Sequence, residues 1–213
     1  MLGEVELLER SASARMSPVT STAISFPPAA PLRYPMIFQD TIVQGARQIE
    51  IERKVDERGF FARTWCHDEF EKHGLNSKLL QCSLSFSTRK GTLRGMHYQA
   101  DPHAEAKLVR CTRGAIYDVV IDLRPESDTY QKWVGVELTA DRRNMIYVPE
   151  GCAHGFLTLV DETEVFYQMS QAYCADAARG VRWNDPTFGI TWPEKVEVIS
   201  ERDRTYLDFE QLQ

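Results

Sequence analysis

From residue 79 onward the chain repeats one pattern, in which short apolar runs of strand length come in pairs broken by a polar hinge. "KLVRCTRGAIYDVVIDL" holds two runs hinged at Arg113-Gly114. "KWVGVELTADRRNMIYVP" holds two hinged over Asp141 to Asn144, and "HGFLTLVDETEVFYQMS" two with a turn at Asp161-Glu162. Runs of this length, rich in Val, Ile, Tyr, Phe and Thr and punctuated by polar turns, read as strands. Their close spacing leaves no room for the crossover helices of a parallel sheet, so the pattern points to an all-β sandwich or small barrel. Upstream, "CHDEFEKHG" reads as a short helix stopped by Gly74. Near the C-terminus "DPTFGITWP" reads as irregular, and "SERDRTYLDFE" as a closing loop or helix.

A two-layered β structure must bury a core, and 213 residues with 43% hydrophobic side chains suffice for one domain. Residues 1–35 differ from the rest. Their "SASARMSPVTSTAISFPPAAPLRYP" is rich in Ser, Ala, Thr and Pro without a sustained period, and reads as a flexible or interface-associated arm, or as a misassigned start upstream of Met16 or Met36. This leaves residues 36–213 as a single domain. The net charge of −6 and the absence of a Lys/Arg-rich block argue against nucleic acid as a partner, so an anionic ligand has to be met by a few placed cations. Cys66, Cys82, Cys111, Cys152 and Cys174 are scattered singly and read as small buried hydrophobes in a reducing compartment. No apolar run approaches the roughly 20 residues of a membrane span, and no basic region precedes an apolar signal core; the expected location is the cytoplasm, away from any membrane.

Several strand residues carry chemistry rather than packing. "GTLRGMHYQ" (91–99) places Arg94 and His97 where a core would prefer valine. Gly91 with His97, and Pro149, Gly151 and His154 of "PEGCAH", match halves of the metal motifs of small β-barrels of the cupin type, but Gln99 stands where a further histidine ligand belongs. Only two histidines converge, and His103 and Glu105 lie on a loop, so no metal site is expected. In "TEVFYQMS" strict alternation puts Thr163, Val165, Tyr167 and Met169 on one face, so the Tyr167 phenol points inward, where it needs a partner or a task. Lys107 opens "KLVRC", as a solvated residue or as a buried cation beside a carbonyl. Alternation from His97 puts Arg94 on the opposite face, unless a bulge at Gly95 turns both inward.

Taken in order and at these separations, "DERGFF", "KGTLRGMHYQ", "KLVR", "VPEGCAHGF", "TEVFYQ" and "RGVRWNDPTFGITWP" resemble the dTDP-4-dehydrorhamnose 3,5-epimerase family over about residues 36–205. The resemblance implies a cupin-type jelly-roll β-barrel with a few short peripheral helices. It also implies a homodimer that exchanges strands, no metal or organic cofactor, and a nucleotide-linked 4-keto-6-deoxy sugar as substrate. By that resemblance His97 corresponds to the base, Asp203 of "SERD" to the carboxylate orienting it, Lys107 to the enolate-stabilising cation and Tyr167 to the acid on the opposite face. Arg58, Gln81, Ser85 and Arg94 correspond to substrate and diphosphate contacts, with Arg58 serving the partner subunit. His154 corresponds to a residue lining the sugar pocket and Tyr173 to a ring near the nucleobase.

These residue types suit the chemistry. A C–H next to a ketone is too weak an acid for histidine unless donors await the developing enolate, and inversion needs a base on one face and a proton donor on the other. Ser83, Glu105 and Gln168 depart from the residues common in the family, Glu105 by placing a negative charge near an anionic ligand unless it is turned away. The remaining readings are a C3-only epimerase or a ketoisomerase on another nucleotide sugar, a metal-dependent cupin oxygenase or isomerase, and a non-catalytic sugar-binding cupin.

Overall fold

A computed structural model describes residues 35–211; the arm expected over 1–35 lies outside these residues except for Pro35. In chain order the first strands are β1 (Ile37–Asp40), β2 (Arg47–Glu50), β3 (Lys54–Asp56), β4 (Gly59–Phe61), β5 (Gln81–Ser87), β6 (Thr92–Gln99) and β7 (Lys107–Arg113). They are followed by β8 (Ala115–Asp122), β9 (Trp133–Thr139), β10 (Met145–Val148), β11 (Cys152–Thr158), β12 (Thr163–Met169), β13 (Ala178–Gly180) and β14 (Val198–Ile199). The α-helices are short: α1 (His67–Lys72) and α2 (Glu201–Arg204).

Two sheets face each other. One runs β1-β2-β10-β7-β12-β5, the other β13-β6-β11-β8-β9, with β14 alongside β6. The strands and hinges stand where the sequence pattern puts them, and each hinge carries the chain from one sheet to the other. β7 belongs to the first sheet and β8 to the second, β9 to the second and β10 to the first, β11 to the second and β12 to the first. Two antiparallel layers stitched by such crossings make the jelly-roll barrel.

The space between the layers is filled at one side by Val109, Cys111, Ile116, Val120, Val136, Leu138, Ile146 and Phe156, all buried. Outside the first sheet, α1 inserts Phe70, 1% exposed, among Ile49, Leu108, Met145 and Tyr147; burying a ring of this size stabilises by about 2–3 kcal/mol. The helix stops as the sequence indicates. Gly74 adopts φ +67, its N–H bonds the Glu71 carbonyl, and the Leu75 N–H reaches back to Phe70 at 3.0 Å, a paired bonding that ends helices on glycine. Outside the second sheet the C-terminal segment brings Val181, Phe188 and Phe209 onto Met96, Val119 and Ile121. With part of each outer face covered and one side of the interior packed, the remaining interior, between β5, β12 and β7 of one sheet and β6 and β11 of the other, is open.

Candidate active site

That opening is a cavity of about 790 Å³, the size of a small-molecule site. Alternation along the strands decides what lines it. On β5, Gln81, Ser83 and Ser85 face inward while Cys82, Leu84 and Phe86 face out. On β7, Lys107 shares the inward face of Val109 and Cys111, and on β12 Tyr167 shares that of Val165. The tyrosine stands as the alternation of "TEVFYQMS" requires.

β6 departs from alternation. Its register against β11 pairs Arg94 with Phe156 but His97 with His154, so three steps on one strand match two on the other. The extra residue is a bulge, and it turns both Arg94 and His97 into the cavity. Glycine is required there: Gly95 has φ +143, and a Cβ at this position would meet the Gly155 Cα at 2.5 Å.

The bulge also opens a gap along the other edge of β6, where β13 pairs with His97–Gln99 and β14 with Thr92–Leu93. Just past β14 the single turn of α2 begins, with the Ser200 hydroxyl accepting from the Asp203 N–H at 3.1 Å. This cap holds Asp203, 5% exposed, in the gap, where its carboxylate accepts from the Gly95 N–H at 3.3 Å and pairs with His97 Nε2 at 2.7 Å. Burial pushes the Asp203 carboxyl up, but the bonds from His97 and Gly95 outweigh it and hold it below the usual carboxylate range. With Nε2 carrying a proton toward this carboxylate, Nδ1 of His97 keeps the lone pair.

Lys107 Nζ lies 3.4 Å from the His97 carbonyl and 3.0 Å from Glu105 Oε1. Glu105 is turned onto the lysine, with both side chains about a tenth exposed, so its charge is spent on a fixed partner in the cavity wall. His154 pairs with Asp118 at 2.8 Å, and both are buried. Burial pushes the Asp118 carboxyl up, with His154 and then Lys107 opposing it. The Tyr167 hydroxyl meets Ser85 Oγ at 3.1 Å.

At the mouth, Tyr173 is 59% exposed and its N–H is held by Gln81 Oε1 at 3.0 Å, so Gln81 positions the ring. Arg94 is braced by Ser87 Oγ and the Phe86 carbonyl. Gln99, where a metal-binding barrel would use histidine, donates to the His103 and Ala172 carbonyls and accepts from the Cys174 N–H, tying two loops together. Among the described residues no group of three or more His, Cys, Asp or Glu is placed to hold a metal ion.

Of the ten residues singled out in the sequence, His97, Asp203, Tyr167, Lys107, Gln81, Ser85, Arg94, His154 and Tyr173 line the cavity; Arg58 does not. Arg58 sits in the tight turn between β3 and β4, its side chain is 82% exposed, and its guanidinium is forked onto Asp56, so within this chain it belongs to a surface hairpin. Three residues of the site escaped sequence reasoning. Asp118 had a signal, because alternation in "AIYDVVIDL" puts it on the apolar face of Ile116 and Val120. Arg179 and Arg202 had none, yet both reach the cavity mouth. The hydrogen bond of Arg202 with Tyr173 and the neighbouring Tyr206 hold its guanidinium firmly charged.

Comparison with known proteins agrees with this architecture. Residues 40–211 match the sequence profile described as dTDP-4-dehydrorhamnose 3,5-epimerase. A curated relative of that name from Sinorhizobium fredii is 41% identical over 169 residues, covering 79% of this chain and 87% of its own length. A Streptomyces niveus relative, named dTDP-4-dehydrorhamnose 3-epimerase, is 40% identical over 78% of this chain and 80% of its own length. The crystal structure of dTDP-4-dehydrorhamnose 3,5-epimerase from Bacillus anthracis, with TDP and PPi bound, superposes with a TM-score of 0.79 at 38% identity, covering 82% of this chain and 100% of that one. On the profile, the identities and the shared barrel, this chain belongs to the dTDP-4-dehydrorhamnose 3,5-epimerase family.

Proposed function

We propose that this protein, through its domain at residues 36–213, inverts C3 and C5 of a dTDP-linked 4-keto-6-deoxy sugar, converting dTDP-4-dehydro-6-deoxyglucose to dTDP-4-dehydrorhamnose. One observation carries the reading: a carboxylate-paired imidazole and a half-buried phenol project from opposed sheets into one cavity, beside a lysine ammonium. Nδ1 of His97 takes the proton from the carbon next to the ketone, and the C–H electron pair moves to the C4 oxygen as an enolate. The imidazolium is stabilised by Asp203, and the enolate charge by Lys107. The enolate then collapses to the ketone as its carbon takes a proton from Tyr167 on the other face. Water recharges the phenol and discharges the imidazolium, so each inversion leaves the enzyme unchanged.

Arg94, Arg179 and Arg202 supply the charge that a diphosphate at the mouth requires, and Tyr173 offers a ring face to the nucleobase. The outward residues of the edge strand β5, Leu84 and Phe86, are 56% and 42% exposed, and those of the β3–β4 hairpin, Val55 and Phe61, 73% and 67%. Such an apolar face, beside a strand edge unpaired among the described residues, suits a second copy of the chain, with Arg58 on its exposed hairpin reaching the partner's cavity. The five cysteines are all unpaired, in keeping with a reducing cytoplasm.

Proton NMR of the dTDP-4-keto-6-deoxyglucose substrate in deuterium oxide tests the reading, with light scattering on the same sample reporting twice the 24.4 kDa chain mass for a dimer. Loss of both the C3 and C5 signals is expected. Loss at C3 alone would establish the second reading, a C3 epimerase, which the Streptomyces niveus relative favours. His97→Ala should abolish exchange while nucleotide binding persists, and Tyr167→Phe should impair net inversion more than exchange; the opposite pattern would reverse the two roles.

A further inference from the structure

We propose that Ser85 is a positioning residue for Tyr167: its hydroxyl donates to the phenol oxygen, frees the phenol proton for the substrate and holds the phenolate that remains. The inference rests on the epimerase reading above. β5 and β12 pair with Ser85 opposite Val165 and Ser83 opposite Tyr167, so Ser85 and Tyr167 are diagonal neighbours on the inward face, 3.1 Å apart at their hydroxyls. Among the described residues neither hydroxyl has another hydrogen-bond partner. The phenol ring otherwise lies edge-on to His154, tilted against Phe156 and on the core cluster that holds Val165, and none of these gives the phenol oxygen a second hydrogen-bond donor.

The balance of the step shows why a donor is needed. When the enolate carbon takes the Tyr167 proton, the O–H bond breaks, its electron pair stays on the phenol oxygen, and the enolate pair forms the new C–H bond as the C4 carbonyl returns. A negative charge is thus left on a half-buried phenol until a proton from water replaces it. Burial pushes the Tyr167 hydroxyl well above its ordinary value, and the Asp118 charge adds to this; the Ser85 hydrogen bond and the Arg94 charge oppose it. Ser85 has a single hydrogen to give. If that hydrogen goes to Tyr167, it cannot also go to a diphosphate oxygen, which only accepts, so the positioning role and a diphosphate contact exclude each other.

Ser85→Ala and Ser85→Thr separate these roles in the full-length protein, with deuterium exchange, net inversion and KM measured on the same dTDP-linked ketosugar. For Ser85→Ala, exchange and KM should stay within about threefold of wild type, because His97 still removes the proton and returns a deuteron to the same face. Net inversion should fall about ten- to hundredfold, the factor associated with a hydrogen bond to a charged group, and the alkaline limb of the inversion profile should move to higher pH. Ser85→Thr, which keeps the hydroxyl, should restore most of the inversion. A raised KM with unchanged kcat would overturn the proposal in favour of a diphosphate contact. Equal loss of exchange and inversion, or no loss at all, would overturn it too. If wild type itself exchanges neither proton, the epimerase reading fails first, an outcome separate from any behaviour of the Ser85 variants.

Discussion

Replacing Asp203 by Asn changes one atom and one charge in a pair that the fold takes trouble to assemble. The carboxylate is 5% exposed and lies 2.7 Å from His97 Nε2, held by the Gly95 N–H and by the cap on Ser200. Two unit charges about 4 Å apart attract by about 4 kcal/mol at the effective dielectric near a protein surface. The His97 side chain is 41% exposed, so water screens part of this, and a charge-assisted hydrogen bond of about 1.5–3 kcal/mol is the better measure. At 1.36 kcal/mol per tenfold, proton removal should slow about ten- to hundredfold. The amide can also present its NH2 to Nε2, which stabilises the tautomer with no lone pair on Nδ1 and pushes the loss toward the upper figure. The assay is the initial rate of deuterium incorporation at saturating substrate, with a thermal melt as control. Because Asn keeps the backbone cap, Tm should drop by only a few degrees. A rate within threefold of wild type in a fully folded variant would refute the orienting and charge-stabilising role assigned to Asp203.

Gly95→Ala places a Cβ 2.5 Å from the Gly155 backbone at a left-handed φ. It should cost more than about 2 kcal/mol, hence roughly 5 °C or more in Tm, and a melt unchanged within 1 °C would refute the tight approach of the two strands. Asp122 is buried; although burial raises its carboxyl, bonds from Arg124, Ser127 and Thr129 lower it to about 2. A carboxyl depressed on folding stabilises above its unfolded value near 4 and loses that contribution as pH falls toward 2. Asp122→Asn should therefore lower stability at pH 7 by roughly 2 kcal/mol and flatten the acid side of the stability curve between about pH 4 and 2; parallel curves for both proteins would refute it.

What could be read in the sequence follows from how local its cause is. Tyr167 was legible because β12 alternates without interruption, and α1 because Phe70 and Gly74 are a local helix and stop signal. Arg94 was legible only conditionally, since alternation alone turns it away and the bulge at Gly95 that brings it inward is revealed by the pairing with β11. Asp118 stood on an apolar face in plain view, but the histidine that pairs with it lies on another strand. The hinges were legible as hinges. Their crossing from sheet to sheet was not, since hinges this short suit a hairpin as well as a passage between layers. Asp203 had no local signal beyond its cap, and its place came from family resemblance alone. Arg58 matched a family motif, yet within this chain its guanidinium closes on Asp56.

The crossing of every hinge between the two layers also governs how the molecule comes into being. Tyr167 and Ser85 stand 82 residues apart in sequence, and His97 and Asp203 stand 106 apart. A site made of such distant partners has no local precursor, because each pair must close a long loop before it gains anything. Folding is then expected to be slow and cooperative, and a chain still on the ribosome holds the imidazole long before its carboxylate is synthesised. In a refolding experiment, recovery of proton exchange would therefore mark the final docking of the C-terminal turn on β6, while recovery of β-sheet signal would run ahead of it.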